Sequence, residues 1–477
     1  MSKQLKVLNN TAAVLGGDFV YHLINFAATT LVARSLGGES YGQFSFIYVY
    51  LSFFEAFVQF GMNSVLTREL AREREDAPRI LGNALLLRAA LVLGSVPVAM
   101  GLIRHLGYPL TVQQGVFLAS FQLFLTLRPV YESIFRARLL MIYPAALNAL
   151  RALVNLAFIA LVAFRRPAVP YFILAYLASG LVGFAGLAFV SRKWMKVDFR
   201  PDGKILLYLV RESTPLVLSA YLTLLYYRID VMMLSFMRTF REVGYYSVAT
   251  RLGESLNMIS GALLVSFFPL FSRAFRENRS EFEAQVSQAF RWILLTGLPL
   301  VLGGVFVAKD LILLFFGPEY APSGITFAIL LGYTFFCFVG SLLANILIAC
   351  GKQVADMWIS AFLVLLNIGT NVLLIPHWSY NGAALATVLT EVIGVFIYFF
   401  YAAKNQEIRL RTPKKEIALA LKVNLIFLML LLLMRKFGVN ALGLIFSGMA
   451  LYTALLFLFR ILSWKELKAL ASAKRPP

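Results

Sequence analysis

The chain has 477 residues, of which 60% are apolar and 14% charged, with a mean hydropathy of +0.76. A water-facing surface needs nearer a quarter charged residues, so a string of soluble domains, a disordered chain, a collagen-like chain and a disulfide scaffold are excluded. The formal charge of +20, from 44 Lys and Arg against 24 Asp and Glu, has to be placed along the chain before it is read, because cytoplasmic loops of membrane proteins are rich in Lys and Arg.

A helix that crosses a bilayer needs about 20 mostly apolar residues. In chain order such stretches fall at 11–35, 41–66, 80–103, 112–135, 139–164, 169–190, 213–236, 243–271, 292–308, 323–349, 355–376, 380–403, 416–434 and 438–462. They predict an all-α polytopic membrane protein of about 14 transmembrane helices. The first span follows Lys3 and Lys6 without a small-residue cleavage site, and reads as a retained helix. Loops on the N-terminal side carry Arg68, Arg72, Arg74 and Arg79, then Arg136 and Arg138, then Arg192, Lys193, Lys196, Arg200 and Lys204. Further along, the same side holds Arg273, Arg276 and Arg279, then Lys404, Arg409, Arg411, Lys414 and Lys415. The opposite loops carry fewer, chiefly Arg104, Arg165, Arg166, Arg238, Arg241, Lys309, Arg435 and Lys436. This bias places both termini in the cytoplasm. It also accounts for most of the +20, which removes the main argument for a nucleic-acid partner. The mixed segment 272–292, with Phe275, Phe282, Val286 and Phe290 among its charges, predicts a helix lying on the membrane surface or a solvated linker helix.

The stretch ESYGQFSFIYVY…SVLTRELARER (39–74) is echoed by EVGYYSVATRLG…FFPLFSRAFRENR (242–279), with Gly42 matched to Gly244 and Arg72-Glu73 to Arg276-Glu277. A weaker echo sets Asn155 against Asn371. The expected organisation is an N-terminal six-helix lobe (1–200, spans 11–190), a C-terminal six-helix lobe (201–404, spans 213–403), and two additional spans with a tail (405–477). Because each half holds an even number of spans, a pseudo-two-fold axis along the membrane normal relates them, and a transport site is expected between them at mid-depth.

Charges inside the hydrocarbon are costly and usually face a bundle interior or a watery cavity. The cationic candidates are Arg88, Arg128, Arg151, Arg228 and Arg251. The candidates for ion coupling or counter-charge are Asp18, His22, Glu55, Asp230, Glu254 and Glu391. Asp18 with His22, Arg128 with Glu132, and Arg251 with Glu254 are spaced to share a helix face, so each also reads as a neutralised brace of the bundle. His22 reads either as a proton carrier or as a packed histidine. Arg228 and Asp230 point to different faces, and Arg151 has no acid within four positions. Arginines without an obvious counter-charge suit an anion, and the planar guanidinium fork matches phosphate oxygens two at a time. Pro97, Pro215, Pro269 and Pro299 lie within or at the ends of spans and predict bends.

Four segments in order carry a family resemblance: LVARSLGGESYGQFSF…GMNSVLTREL (31–70), RIDVMMLSFMRTFREVGYYSVATRL…FFPLFSRAF (228–275), LILLFFGPEYAPSGITFAILL (311–331) and IPHWSYNGAALATVLTEV (375–392). The chain resembles the polysaccharide-transporter, or Wzx-type flippase, family of the multidrug/oligosaccharidyl-lipid/polysaccharide exporter superfamily. That resemblance implies two six-helix lobes around a cationic cavity. The implied activity is movement of undecaprenyl-diphosphate-linked oligosaccharide, an O-antigen or other surface-polysaccharide unit, from the cytoplasmic to the outer leaflet. It further implies a bacterial inner membrane, coupling to H+ or Na+ with no other cofactor, and membrane lipid and polysaccharide polymerase machinery as partners. The "ATRL" around Arg251 resembles a cavity-facing arginine segment of lipid II flippases, and Asp230 stands where the family's D-x-x-x-L pattern opens. Fourteen spans match lipid II flippases better than the twelve usual in the Wzx group, so a lipid II flippase is the alternative. A drug/cation antiporter of the same superfamily would favour a cavity richer in acids.

Overall fold

A computed structural model describes residues 3–72, 75–405, 407–408, 414–459 and 461, with the side chains at 3–16, 18, 19, 219 and 262 excepted. Among them the structure is helical, without a strand: α1 (Lys3–Gln59), α2 (Met62–Ala71), α3 (Ala77–His105), α4 (Leu110–Ser120), α5 (Arg128–Ala137), α6 (Ile142–Arg165), α7 (Val169–Ser191), α8 (Gly203–Met237), α9 (Phe240–Glu277), α10 (Arg279–Phe316), α11 (Ser323–Ala349), α12 (Gln353–Lys404), α13 (Lys414–Lys436) and α14 (Ala441–Leu458). The chain is thus the all-α polytopic protein that its composition predicts. Large apolar side chains stand on the outside, Leu93 63%, Leu365 69% and Phe164 84% exposed, as a lipid-facing surface requires.

Length and composition give 11 membrane-crossing helices among the described residues, or 12 when the bent pair Gly203–Leu218 and Ala220–Met237 counts as one span. That is fewer than the fourteen expected. The difference lies in two stretches, Val20–Ala71 and Gln353–Lys404, of 52 residues each. At 1.5 Å per residue each measures about 78 Å against a hydrocarbon core of about 30 Å. Each holds two expected spans joined with little or no loop. Gly37 (φ 73°) breaks α1 and Ser379 (φ 50°) breaks α12, and Phe60 and Gly61, also at positive φ, separate α1 from α2.

Pro97, Pro215, Pro269 and Pro299 are all inside helices. The 41° bend of α8 falls at residue 219, one turn beyond Pro215, whereas the turn that a proline weakens is the one before it, so Pro215 does not by itself set this bend. The segment 272–292 is no separate surface helix. Asn278 splits it, accepting from the Ser280 and Glu281 amides at 2.9 and 3.3 Å to cap α10. Phe282, Val286 and Phe290 are buried against protein, so its apolar face has no membrane to meet.

The chain divides into two compact units, Met1–Ser247 and Val248–Pro477. In the first, α2, α3 and α5 share a core built on Leu66, Leu81, Ala84, Val130 and Ile134. Here the repeat noted in the sequence becomes a contact. A Cβ on Gly42 would lie 1.7 Å from the Phe240 carbonyl oxygen, and one on Gly244 would lie 2.1 Å from that of Gly38. Ser45 Oγ donates to Ser247 Oγ at 2.8 Å. Gly42 with Gly244, Gly38 with Phe240 and Ser45 with Ser247 are all separated by the same 202 positions, and the contacts are reciprocal, as at an isologous interface. Only glycine lets two helix backbones approach this closely. In the second unit, α10 packs with α13 and α14 around Leu294, Val423, Phe427 and Leu444.

Candidate functional site

The first unit holds a cavity of about 370 Å³, lined by α1, α4, the turn that follows it, the start of α5, α6 and α7. This volume falls within the range of small-molecule sites. Its charged lining is Glu55, Arg128 and Arg151, two arginines and one glutamate, for a formal charge of +1. These three are the expected site residues that the structure brings together.

The wall at Arg128 has a local cause. Pro129 cannot donate an amide hydrogen bond, and α4 tightens into a 3₁₀ stretch over Phe121–Leu127 before α5 begins at Arg128. Such a stretch inside a helix commonly marks strain or a functional hinge. It presents Gln122, Leu123, Leu125 and Thr126 to the cavity along with Arg128. The Arg128 guanidinium donates to Asn148 Oδ1. The expected pair with Glu132 is not made; that carboxylate takes Arg136 at 2.7 Å, one turn along α5.

Arg151 enters from α6. A Cβ on Gly183 would lie 2.7 Å from its Cδ, so the glycine on α7 makes room for the arginine stem. The guanidinium donates to Tyr21 Oη and lies 5.0 Å from the centre of that ring. Neither Arg128 nor Arg151 forms an ion pair with a carboxylate among the described residues. The Nε of each is buried without a hydrogen-bond partner. Glu55 is open to the cavity and accepts from Gln59 at 2.8 Å. Both guanidinium groups hydrogen-bond to neutral side chains and line one cavity with Glu55, an arrangement with net positive charge that could take an anion.

The other expected residues lie elsewhere. Arg88 on α3 is fully buried. It donates to the Thr126 carbonyl at 2.6 Å, the Gln59 carbonyl at 2.9 Å and Asn63 Oδ1 at 3.0 Å. These carbonyls belong to the tightened turn after α4 and to the last residue of α1, places where helix breaks leave backbone acceptors unpaired. Arg88 is a brace behind the cavity wall. Arg228 is half-buried on α8, and Asp230 is buried and accepts from Tyr246 Oη at 2.6 Å. In the second unit Arg251 and Glu254 pair at 3.4 Å, each about a third exposed. Glu391 is buried in α12, where the missing side chain of Gly340 makes space for its carboxylate. His22 is exposed, edge-on to Tyr21 at 5.5 Å. The side chain of Asp18 lies outside the described residues.

The neutral half of the cavity was not legible as a site. Tyr21, Asn25, Tyr48, Gln122, Asn155, Tyr176 and Ser179 line it. Only Asn155 stands out in the sequence, through its match with Asn371. A usable signal was the spacing of Tyr21 and Asn25, one turn apart in an otherwise apolar span.

The family model described as "polysaccharide biosynthesis protein" matches residues 7–275, and that of the lipid II flippase MurJ matches residues 229–442. A probable low-salt glycan biosynthesis flippase, Agl15 of Haloferax volcanii, is 22% identical over 452 residues, 92% of this chain and 93% of that protein. A solved structure of the lipid II flippase MurJ, in an inward closed conformation, superposes with a TM-score of 0.79 at 17% identity, covering 93% of this chain and 97% of that one. An inward-facing multidrug-resistance MATE transporter of the MOP superfamily gives a TM-score of 0.67 at 16% identity over 84% of this chain and 96% of its own. The fold is therefore that shared by MurJ and MATE transporters.

Proposed function

The chain belongs to the polysaccharide biosynthesis protein family, and on that footing we propose that it is a flippase for lipid-linked glycan precursors, not an enzyme. The proposed substrate is a polyprenyl-diphosphate-linked oligosaccharide, moved from the cytoplasmic to the outer leaflet of a bacterial inner membrane, with both termini cytoplasmic. One observation carries the reading: Arg128 and Arg151 face one cavity, hydrogen-bonded to neutral side chains and outnumbering its one carboxylate, Glu55. Each guanidinium can give two parallel hydrogen bonds to phosphate oxygens, and it keeps its charge when desolvated. A diphosphate supplies the counter-charge that Glu55 alone does not provide for two guanidinium groups. The polyprenyl tail stays in lipid while the headgroup rides through protein. The similarity to a probable glycan flippase over nearly the whole chain supports this class of substrate.

The two halves, 1–200 and 201–404, act as rocking lobes, and the reciprocal contact at Gly42 and Gly244 is the kind of seam such lobes part along. Coupling to H+ or Na+ is assigned to the acids, Asp18, Glu55, Asp230, Glu254 and Glu391, which return the emptied protein to its starting state. The polymerase machinery receives the product. A lipid II flippase is the second reading, supported by the match of residues 229–442 to the MurJ family model. A cation exporter fits less well, because the cavity lining is net positive.

The test is leaflet exchange. Purified protein in vesicles should move a fluorescent glycan-linked polyprenyl diphosphate, and Arg128→Glu or Arg151→Glu should abolish that movement with the protein still inserted. Unimpaired exchange by both variants overturns the cavity assignment. Depletion in cells separates the readings: loss of a surface glycan favours the first, arrest of peptidoglycan synthesis the second.

A further inference from the structure

Resting on the diphosphate reading of this cavity, we infer that its neutral end is a sugar subsite: Tyr48, Gln122, Asn155, Tyr176 and Ser179 hold the pyranose ring that is bonded directly to the diphosphate.

The cavity is layered. On α1, Tyr48 precedes Glu55 by seven residues, about 10 Å of helix. In the 3₁₀ stretch Gln122 precedes Arg128 by six, about 12 Å at the longer rise. On α7, Tyr176 precedes by seven the Gly183 that seats the Arg151 stem, again about 10 Å. On α6 the order reverses, with Arg151 first and Asn155 one turn, about 6 Å, later. That reversal is what an antiparallel neighbour requires. Two contacts fix the register of α6 and α7: Gly183 against Arg151, and Ser179 against Asn155. All four helices therefore put charge at one end and neutral polar or aromatic groups at the other.

The chemistry of the neutral layer suits a sugar. The Tyr48 and Tyr176 rings are 5.6 Å apart and tilted by 54°, and both lie against Phe44. They offer flat apolar faces to the C–H face of a pyranose and hydroxyls at their tips. Gln122 Nε2 donates to Tyr48 Oη at 2.7 Å, and the Ser179 hydroxyl shares its one proton between Asn155 Oδ1 at 3.1 Å and the Tyr176 carbonyl at 2.9 Å. These bonds orient both amides and leave Gln122 Oε1 as an acceptor and Asn155 Nδ2 as a donor with no partner among the described residues. Asn155 lines the cavity and is only 4% exposed, so a ligand or water in the cavity is what its amide N–H can still bond. A sugar hydroxyl both donates and accepts, so one ring can satisfy both amides. A bare phosphate cannot, since it brings no face to stack and few protons to give.

The experiment is binding to the purified full chain. The probes are farnesyl diphosphate and three glycosylated forms of it carrying one glucose, one galactose or one N-acetylglucosamine. At least one glycosylated probe should bind about tenfold more tightly than farnesyl diphosphate, the worth of one or two net hydrogen bonds. Gln122→Ala should close most of that gap and leave farnesyl diphosphate binding unchanged; Asn155→Ala should do the same, and Gln122→Ala carries the test if the Asn155 variant fails to fold. Equal binding of all four probes, or an equal loss for bare and glycosylated probes in Gln122→Ala, overturns the sugar subsite and leaves the diphosphate reading standing. Failure of every probe to bind overturns both.

Discussion

The brace at Arg88 and the wall of the cavity both place a guanidinium at membrane depth in the first unit, and they treat it in opposite ways. Arg88 gives three hydrogen bonds, to two backbone carbonyls and Asn63, and is fully buried, although its Nε, like that of Arg151, has no partner. Arg151 meets one phenol and an open volume. The difference teaches that a buried cation marks a site only when its surroundings leave it underused. A helix break consumes an arginine as readily as a ligand does.

Removing the brace should have the largest effect. Arg88→Leu leaves up to three buried acceptors unpaired, at roughly 1–3 kcal/mol each, so the variant is expected to unfold many degrees below the wild type in a thermal melt. If Arg88→Leu melted normally and instead lost only substrate, the contrast between brace and wall would be broken. Next comes Gly183→Val, which keeps the charge of Arg151 and crowds its stem. Displacing a positioned group costs less than deleting it, and a tenfold loss of diphosphate affinity, about 1.4 kcal/mol, is expected, with melting lowered by less than in Arg88→Leu because the crowding is that of one overpacked contact.

Smaller effects sharpen the same contrast. Glu55→Gln raises the formal charge of the cavity lining from +1 to +2 and should tighten farnesyl diphosphate binding a few-fold, more at low salt than at high. Glu132→Ala breaks only the pair with Arg136, whose side chain is 56% exposed. Such pairs contribute about 0.2–1 kcal/mol, so melting should shift little and binding not at all.

How far the sequence reaches depends on range. Spans, loop charge and the intramembrane arginines are local properties, and they are legible. The continuity of α1 and of α12 is not, because Gly37 and Ser379 interrupt a helix without supplying a polar loop. Arg88 and Arg151 look alike in sequence, each a lone arginine in an apolar span. They part company only because Phe60-Gly61 and Pro129 break two other helices beside Arg88. Glu132 is four positions from both Arg128 and Arg136, and spacing alone cannot choose. The structure chooses Arg136, since Arg128 at the start of α5 turns to Asn148 on α6. The neutral layer stayed hidden because tyrosines and amides are ordinary in spans until four helices bring them to one level.

The central claim is that the Arg151 charge is held in reserve for a diphosphate. Binding of farnesyl diphosphate to the wild type and to Arg151→Gln, measured beside their melting temperatures, tests it most directly. The account predicts a loss of about thirtyfold or more, near 2 kcal/mol for a desolvated charged contact, with melting changed by only a few degrees. Equal affinity in the two proteins, or a loss of binding that merely tracks unfolding, would contradict it.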